Sequence, residues 1–169
     1  MEFNESILHE VMEAAKTGPI VDRKIALYSQ KASVLLRYLE LSNPKFSRGG
    51  AAGEMLTLIA PERYPELWGR IVSEVQAPRE KKKSEWAGKA EQLKHPDSAL
   101  MDQALAETQT RKGRIITVYS PRLAALFRYL DHTIPRFRVS NHAAEMLEEI
   151  LAREYPEMWE RIVECTAGE

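Results

Sequence analysis

Arg114–Leu147 reads RIITVYSPRLAALFRYLDHTIPRFRVSNHAAEML. The same plan stands 91 positions earlier at Arg23–Leu56, RKIALYSQKASVLLRYLELSNPKFSRGGAAGEML (Arg114 against Arg23). The two stretches align without a gap. Tyr28, Ser29, Leu35, Arg37, Tyr38, Leu39, Pro44, Phe46, Ala52, Glu54, Met55 and Leu56 all recur at their counterparts. A pattern repeated at a fixed interval is one structural unit used twice.

Each copy has three parts. Arg114–Tyr119 predicts a strand, because Ile115, Ile116, Thr117 and Val118 are β-branched and suit a pleated surface. Lys24–Tyr28 is its weaker counterpart. Ser29 and Ser120 then stand as helix N-caps, and Pro121 takes the first helical position, where a missing N–H does no harm. Ala32, Leu35, Leu36 and Leu39 form the apolar stripe of one helix; Leu123, Leu126, Phe127 and Leu130 form that of the other. Pro44 and Pro135 close these helices. A further helix begins after Phe46 or Phe137, with start signals at Ser47-Arg48-Gly49-Gly50 and Val139-Ser140-Asn141-His142. Met55, Leu56 and Ile59 point inward in the first copy; Met146, Leu147, Ile150 and Leu151 do so in the second.

The flanks repeat as well. Tyr64-Pro65-Glu66-Leu67-Trp68 returns as Tyr155-Pro156-Glu157-Met158-Trp159. The prolines interrupt the helix, and a short last helix carries Trp68, Ile71 and Val72, or Trp159, Ile162 and Val163. The two Trp read as core or lid residues. Upstream, Glu5–Lys16 predicts an amphipathic helix with Ile7, Leu8, Val11, Met12 and Ala15 on one side, capped by Asn4 or Ser6. It stops at Thr17-Gly18-Pro19, where Gly18 is expected as a left-handed cap. Ser98–Gln109, with Leu100, Met101 and Leu105, is its counterpart. The chain therefore divides into a first repeat at 1–78, a basic linker at 79–91 and a second repeat at 92–169, each repeat running helix, strand, helix, helix, short helix. Lys81, Lys82 and Lys83 in the linker read either as a solvated connector or as a phosphate-contacting segment.

One strand with two short helices cannot bury its own apolar side, and a lone strand leaves its backbone groups unpaired. The expected fold is mostly α with a short two-stranded antiparallel β ribbon, the strands of the two copies pairing above a shared helical core. The 169 residues are 44% hydrophobic, enough for such a core.

A short strand, a capped helix of about three turns, and a second helix opening Ser47-Arg48-Gly49-Gly50-Ala51-Ala52 resemble the ribbon-helix-helix DNA-binding family. Tyr28-Ser29-Gln30 and Tyr119-Ser120-Pro121 are similar to that family's strand-to-helix junction. The resemblance covers most of the strand and two helices in each copy. It implies a tandem ribbon-helix-helix body forming an intrachain pseudo-dimer. It also implies double-stranded DNA as partner, with strands toward the major groove and second-helix starts on phosphates. The residues it puts at the DNA are Arg23, Lys24, Lys45, Ser47, Arg48 and Gly49 from the first copy. From the second come Arg114, Thr117, Arg136, Arg138, Ser140 and Asn141.

Alternation along the strands leaves two registers open. With Tyr28 and Tyr119 in the core, Ile25, Leu27, Ile116 and Val118 face out with Arg23 and Arg114, and the first helix of each repeat is placed to cover that apolar ribbon. With the aliphatics buried, Lys24, Ala26, Tyr28, Thr117 and Tyr119 face out and are placed to touch bases. The resemblance favours the first. An apolar outer ribbon would suit a protein partner, so two functions stand: a DNA-binding regulator or accessory factor, and a protein-interaction module on the same fold.

Net charge is −1 with 29% charged residues, so a DNA surface has to be local. Cys165 is the only cysteine, which excludes an intrachain disulfide and suits a reducing, cytoplasmic setting. Neither a signal peptide nor a membrane span is expected. No metal-ligand spacing, glycine-rich phosphate loop or nucleophile motif is present, so neither an enzyme nor a cofactor is expected. The four histidines, His9, His95, His132 and His142, read as solvated surface groups, as do Glu148 and Glu149.

Overall fold

The computed structural model describes residues 2–43, 45–76 and 97–167. The linker expected at 79–91, with Lys81–Lys83, lies outside the described residues, as does Pro44. Among the described residues are α1 (Glu5–Thr17), β1 (Lys24–Tyr28), α2 (Gln30–Ser42), α3 (Arg48–Arg63) and α4 (Pro65–Glu74). They continue as α5 (Ser98–Glu107), β2 (Ile115–Tyr119), α6 (Pro121–Thr133), α7 (Val139–Glu154) and α8 (Pro156–Thr166). The chain is thus mostly helical with one two-stranded antiparallel sheet.

Local chemistry accounts for most of the boundaries. Asn4 caps α1 by accepting from the Ile7 N–H. Ser29 and Ser120 cap α2 and α6 through the N–H groups of Ala32 and Leu123. Asp97 does the same for α5, which stops at Glu107 rather than Gln109. Pro65 and Pro156 open α4 and α8 from the first turn, where their missing N–H is harmless. Gly18 does not adopt the expected left-handed cap: its φ is −75°. Space is what demands a glycine there, because a Cβ would lie 2.5 Å from the Ala14 carbonyl oxygen. The α7 start also differs from expectation. Arg138 occupies the cap position with no side-chain capping bond, so Ser140 and Asn141 lie inside the first turn.

β1 and β2 pair with Lys24 opposite Tyr119, Ile25 opposite Val118, Ala26 opposite Thr117, Leu27 opposite Ile116, and Tyr28 opposite Ile115. Ala26 and Thr117, equivalent positions of the two repeats, are each other's partners. The register is the reverse of the favoured one. Ile25, Leu27, Ile116 and Val118 are all buried, whereas Tyr28 is 42% and Tyr119 57% exposed. An inward tyrosine needs a hydrogen-bond partner in the core; four aliphatic side chains need none, and they fit the dry space between sheet and helices.

Beneath the ribbon the repeats interleave. α1 packs on α6 and α5 on α2; α4 packs on α6 and α8 on α2; α3 flanks β2, α7 flanks β1, and α3 meets α7. The expectation that the first helix of each repeat covers the ribbon is therefore corrected. α1 turns Leu8, Val11, Met12 and Ala15 into the core, with α6 as its main neighbour, and α5 buries Met101 and Ala104 with α2 as its main neighbour. Each of these helices is also pinned at its start by a tyrosine of the other repeat. The Asn4 N–H donates to the Tyr129 hydroxyl at 2.9 Å and the Asp97 N–H to the Tyr38 hydroxyl at 2.8 Å.

A single apolar cluster links both repeats, with Leu35, Leu36, Leu56, Phe127 and Met146 among its fully buried members. Each such side chain contributes roughly 1.5–3 kcal/mol by burial. Exposed ion pairs between the repeats, such as Arg153–Glu62 and Arg63–Glu149, count for little beside that. Trp68 is buried and Trp159 half-buried against the same cluster. No helix among the described residues is long and apolar enough to cross a membrane.

Candidate nucleic-acid interface

The outer ribbon face carries Lys24, Ala26 and Tyr28 from β1 and Ile115, Thr117 and Tyr119 from β2, all exposed or half-exposed. The Ser29 N–H donates to the Arg114 carbonyl at 3.1 Å. By antiparallel alternation the three outward pairs are then the closer, non-hydrogen-bonded ones. Lys24 Nζ lies 5.9 Å from the centre of the Tyr119 ring, a cation–π approach at one end of the ribbon. At the other end Tyr28 stands beside Ile115. Five residues per strand give a ribbon about 17 Å long, with its two strands about 5 Å apart. A two-stranded ribbon is narrow enough for a major groove about 12 Å wide.

Helix starts flank the ribbon. Gly49, in the first turn of α3, approaches β2 so closely that a Cβ would lie 2.4 Å from the Thr117 carbonyl oxygen. Ser47 caps that helix by accepting from the Gly50 N–H at 3.2 Å. Arg48 Nε sits 3.4 Å from Glu40, which also pairs with Arg37, so this cation is already partly neutralised. Lys45 is exposed, and its backbone N–H donates to the Asn43 side chain at 3.2 Å. On the β1 side the loop before α7 presents Arg136 and Arg138, both exposed and without an ion-pair partner among the described residues. Arg136 holds φ at 62°, a left-handed conformation in the turn between α6 and α7. Ser140 is half-buried and Asn141 exposed in the turn that follows.

Two of the expected residues are turned to another task. Arg23 donates from Nε and Nη2 to the Gly18 carbonyl at 3.1 and 2.6 Å. Arg114 donates from Nε to the Thr108 carbonyl at 2.7 Å. Each places a cation against the carbonyl end of α1 or α5, where the helix dipole is negative, and so ties the first helix of its repeat to the strand. Lys24 and Thr117 share the ribbon face; Ser47, Arg48 and Gly49 share one flank; Arg136, Arg138, Ser140 and Asn141 share the other.

Periodicity gave no sign of the cluster around His142. Far from being a solvated surface group, this side chain is half-buried, its Nε2 2.6 Å from the Tyr64 hydroxyl and its ring 4.8 Å from that of Phe137. Burial holds its pKa below the ordinary histidine value, Glu145 opposes that shift and Arg63 adds to it. The only trace in the sequence is that His142 replaces the small Ala51 of the first repeat. Glu148 departs from expectation too. It is half-buried near Ser29, and burial raises its carboxyl pKa against the opposing pull of Lys31 and the Ser29 hydrogen bond. Glu149, by contrast, is exposed and pairs with Arg63.

Among the described residues no group of three or more His, Cys, Asp or Glu side chains is placed to hold a metal. No protein-family model, curated protein or solved structure matches this chain.

Proposed function

We propose that the chain binds double-stranded DNA through the outer face of its β ribbon, as a transcriptional regulator or an accessory factor of a DNA complex. In this reading the body is a tandem ribbon-helix-helix in which the two repeats stand as an intrachain pseudo-dimer, its axis passing between Ala26 and Thr117. The observation that carries the reading is the register. It puts the aliphatic stripe inside and turns Lys24, Thr117 and the hydroxyl-bearing Tyr28 and Tyr119 outward on a face left open to solvent. Those side chains supply donors and acceptors for base edges. Arg136, Arg138 and Lys45, with the starts of α3 and α7, supply the sequence-independent phosphate contacts.

A salt titration of binding to duplex DNA tests this. Affinity is expected to fall steeply and log-linearly with salt, with a slope of about −0.9 for each phosphate neutralised. Arg136→Ala and Arg138→Ala should weaken binding to all sequences alike, and Arg48→Ala less so because Glu40 already holds that guanidinium. Absence of binding at low salt would remove the proposal. It would favour the second reading, a protein-interaction module, for which the adjacent exposed pair Tyr28 and Ile115 is the supporting observation.

A further inference from the structure

The two strands are equivalent in the repeat but not alike on the outside. Ile115 stands at the position equivalent to Lys24, Thr117 at that of Ala26, and Tyr119 at that of Tyr28. The pairing sum is such that Ala26 faces its own equivalent, Thr117. Positions related by the repeat therefore lie at equal distances on either side of the ribbon's centre. At one end sit Lys24 and Tyr119; at the other, Ile115 and Tyr28. The tyrosines match across the centre, and the remaining pair opposes a cation to a hydrocarbon. Lys24 is held over the Tyr119 ring, whereas Ile115 is 41% exposed beside Tyr28.

We infer that the duplex element read by this ribbon is not an inverted repeat, and that the chain binds it in one orientation. The inference rests on the DNA reading above. A lysine is matched by the O6 and N7 acceptors of guanine, and an aliphatic side chain by the thymine methyl group. The element therefore carries guanine at the Lys24 end and thymine at the Ile115 end, with the two tyrosines adding contacts equal on both sides. The flanks lean the same way. Beside β1, Arg136 and Arg138 stand exposed; beside β2, Arg48 is paired with Glu40. A homodimeric ribbon presents identical residues at both ends. This chain does not, because its two strands are independently encoded.

Selection from a random duplex library, followed by affinity measurements on single-base variants, tests the inference with the full chain. The expected motif lacks dyad symmetry, with guanine preferred on one side only. Lys24→Ala should lower affinity for that motif about tenfold and relax the guanine preference. Ile115→Lys, a change at an exposed site, should convert the motif to an inverted repeat with guanine at both ends. An inverted-repeat motif for the unaltered chain overturns the inference and leaves DNA binding intact. The same holds for salt-dependent binding with no enriched motif, or for an Ile115→Lys variant whose motif stays one-sided. Failure to bind any duplex at low salt overturns the DNA reading itself and this inference with it.

Discussion

The first and second repeats share most of their core and part company at several positions around the ribbon. Leu35 and Leu126, Leu39 and Leu130, Met55 and Met146, Leu56 and Leu147, Ile59 and Ile150, and Ile71 and Ile162 are buried at equivalent positions. Outside that set, His142 replaces Ala51, Ser140 replaces Gly49, Ile115 replaces Lys24, and Arg138 stands where Ser47 caps a helix. The lesson is physical. Interleaved helices force both halves to fill the same close-packed space, so their volumes are tied together. Exposed positions carry no such tie and can serve each side of the ribbon separately.

The comparison breaks most violently where equivalent core positions differ in size. Phe127 fills, in the second repeat, the place of Leu36 in the first, and both are fully buried. Phe127→Ala is expected to lower stability by about 3–5 kcal/mol, more than Leu36→Ala, in equilibrium denaturation. Equal losses would mean that the two sites collapse alike.

Next comes the flank of the ribbon. In a helix an alanine normally improves on a glycine, yet at Gly49 its Cβ would strike backbone, the Thr117 carbonyl. Gly49→Ala should therefore destabilise by about 1–3 kcal/mol, whereas Ser140→Ala at the equivalent site should stay within about 0.5 kcal/mol. A stabilised Gly49→Ala variant would show that α3 can retreat from β2 without loss.

A smaller effect of opposite sign is expected at Ser33, which is fully buried and whose hydroxyl has no partner among the described residues, where the second repeat has Ala124. Ser33→Ala makes the halves alike and should raise the denaturation midpoint, by about 1 kcal/mol in stability.

The least effect is a slope. In the folded chain His142 takes its proton at a lower pH than in the unfolded one, where the ordinary value is 6.5. Between those two values the unfolded chain binds more protons, so stability falls as pH falls through that window. His142→Ala, which copies Ala51, should remove that part of the pH dependence; an unchanged profile would assign it elsewhere.

Much of this molecule was legible from the sequence because its signals are local. Ser29, Ser120 and Pro121 mark helix starts by their own chemistry, and the stripes of α2 and α6 follow helical spacing. The ribbon's facing was not legible: both faces carry apolar groups, and what lies behind the sheet decides which is buried. Neither was the exchange of helices, since the stripe on α1 says only that one side is buried and not that α6 covers it. On the ribbon Lys24 and Thr117 both turn outward, as only the less favoured of the two registers expected. The sequence could not show that Arg23 and Arg114 turn to helix ends, because a guanidinium's partner depends on a carbonyl five or six residues away along the chain.

The reciprocal seating of α1 on α6 and α5 on α2 has a consequence for dilution. Residues 77–96 tether the halves covalently, so each always finds its mate and the melting temperature of the intact chain should not depend on how much is in the tube. Cut within that tether, the same halves become two solutes that must meet, and their folding becomes a matter of mass action.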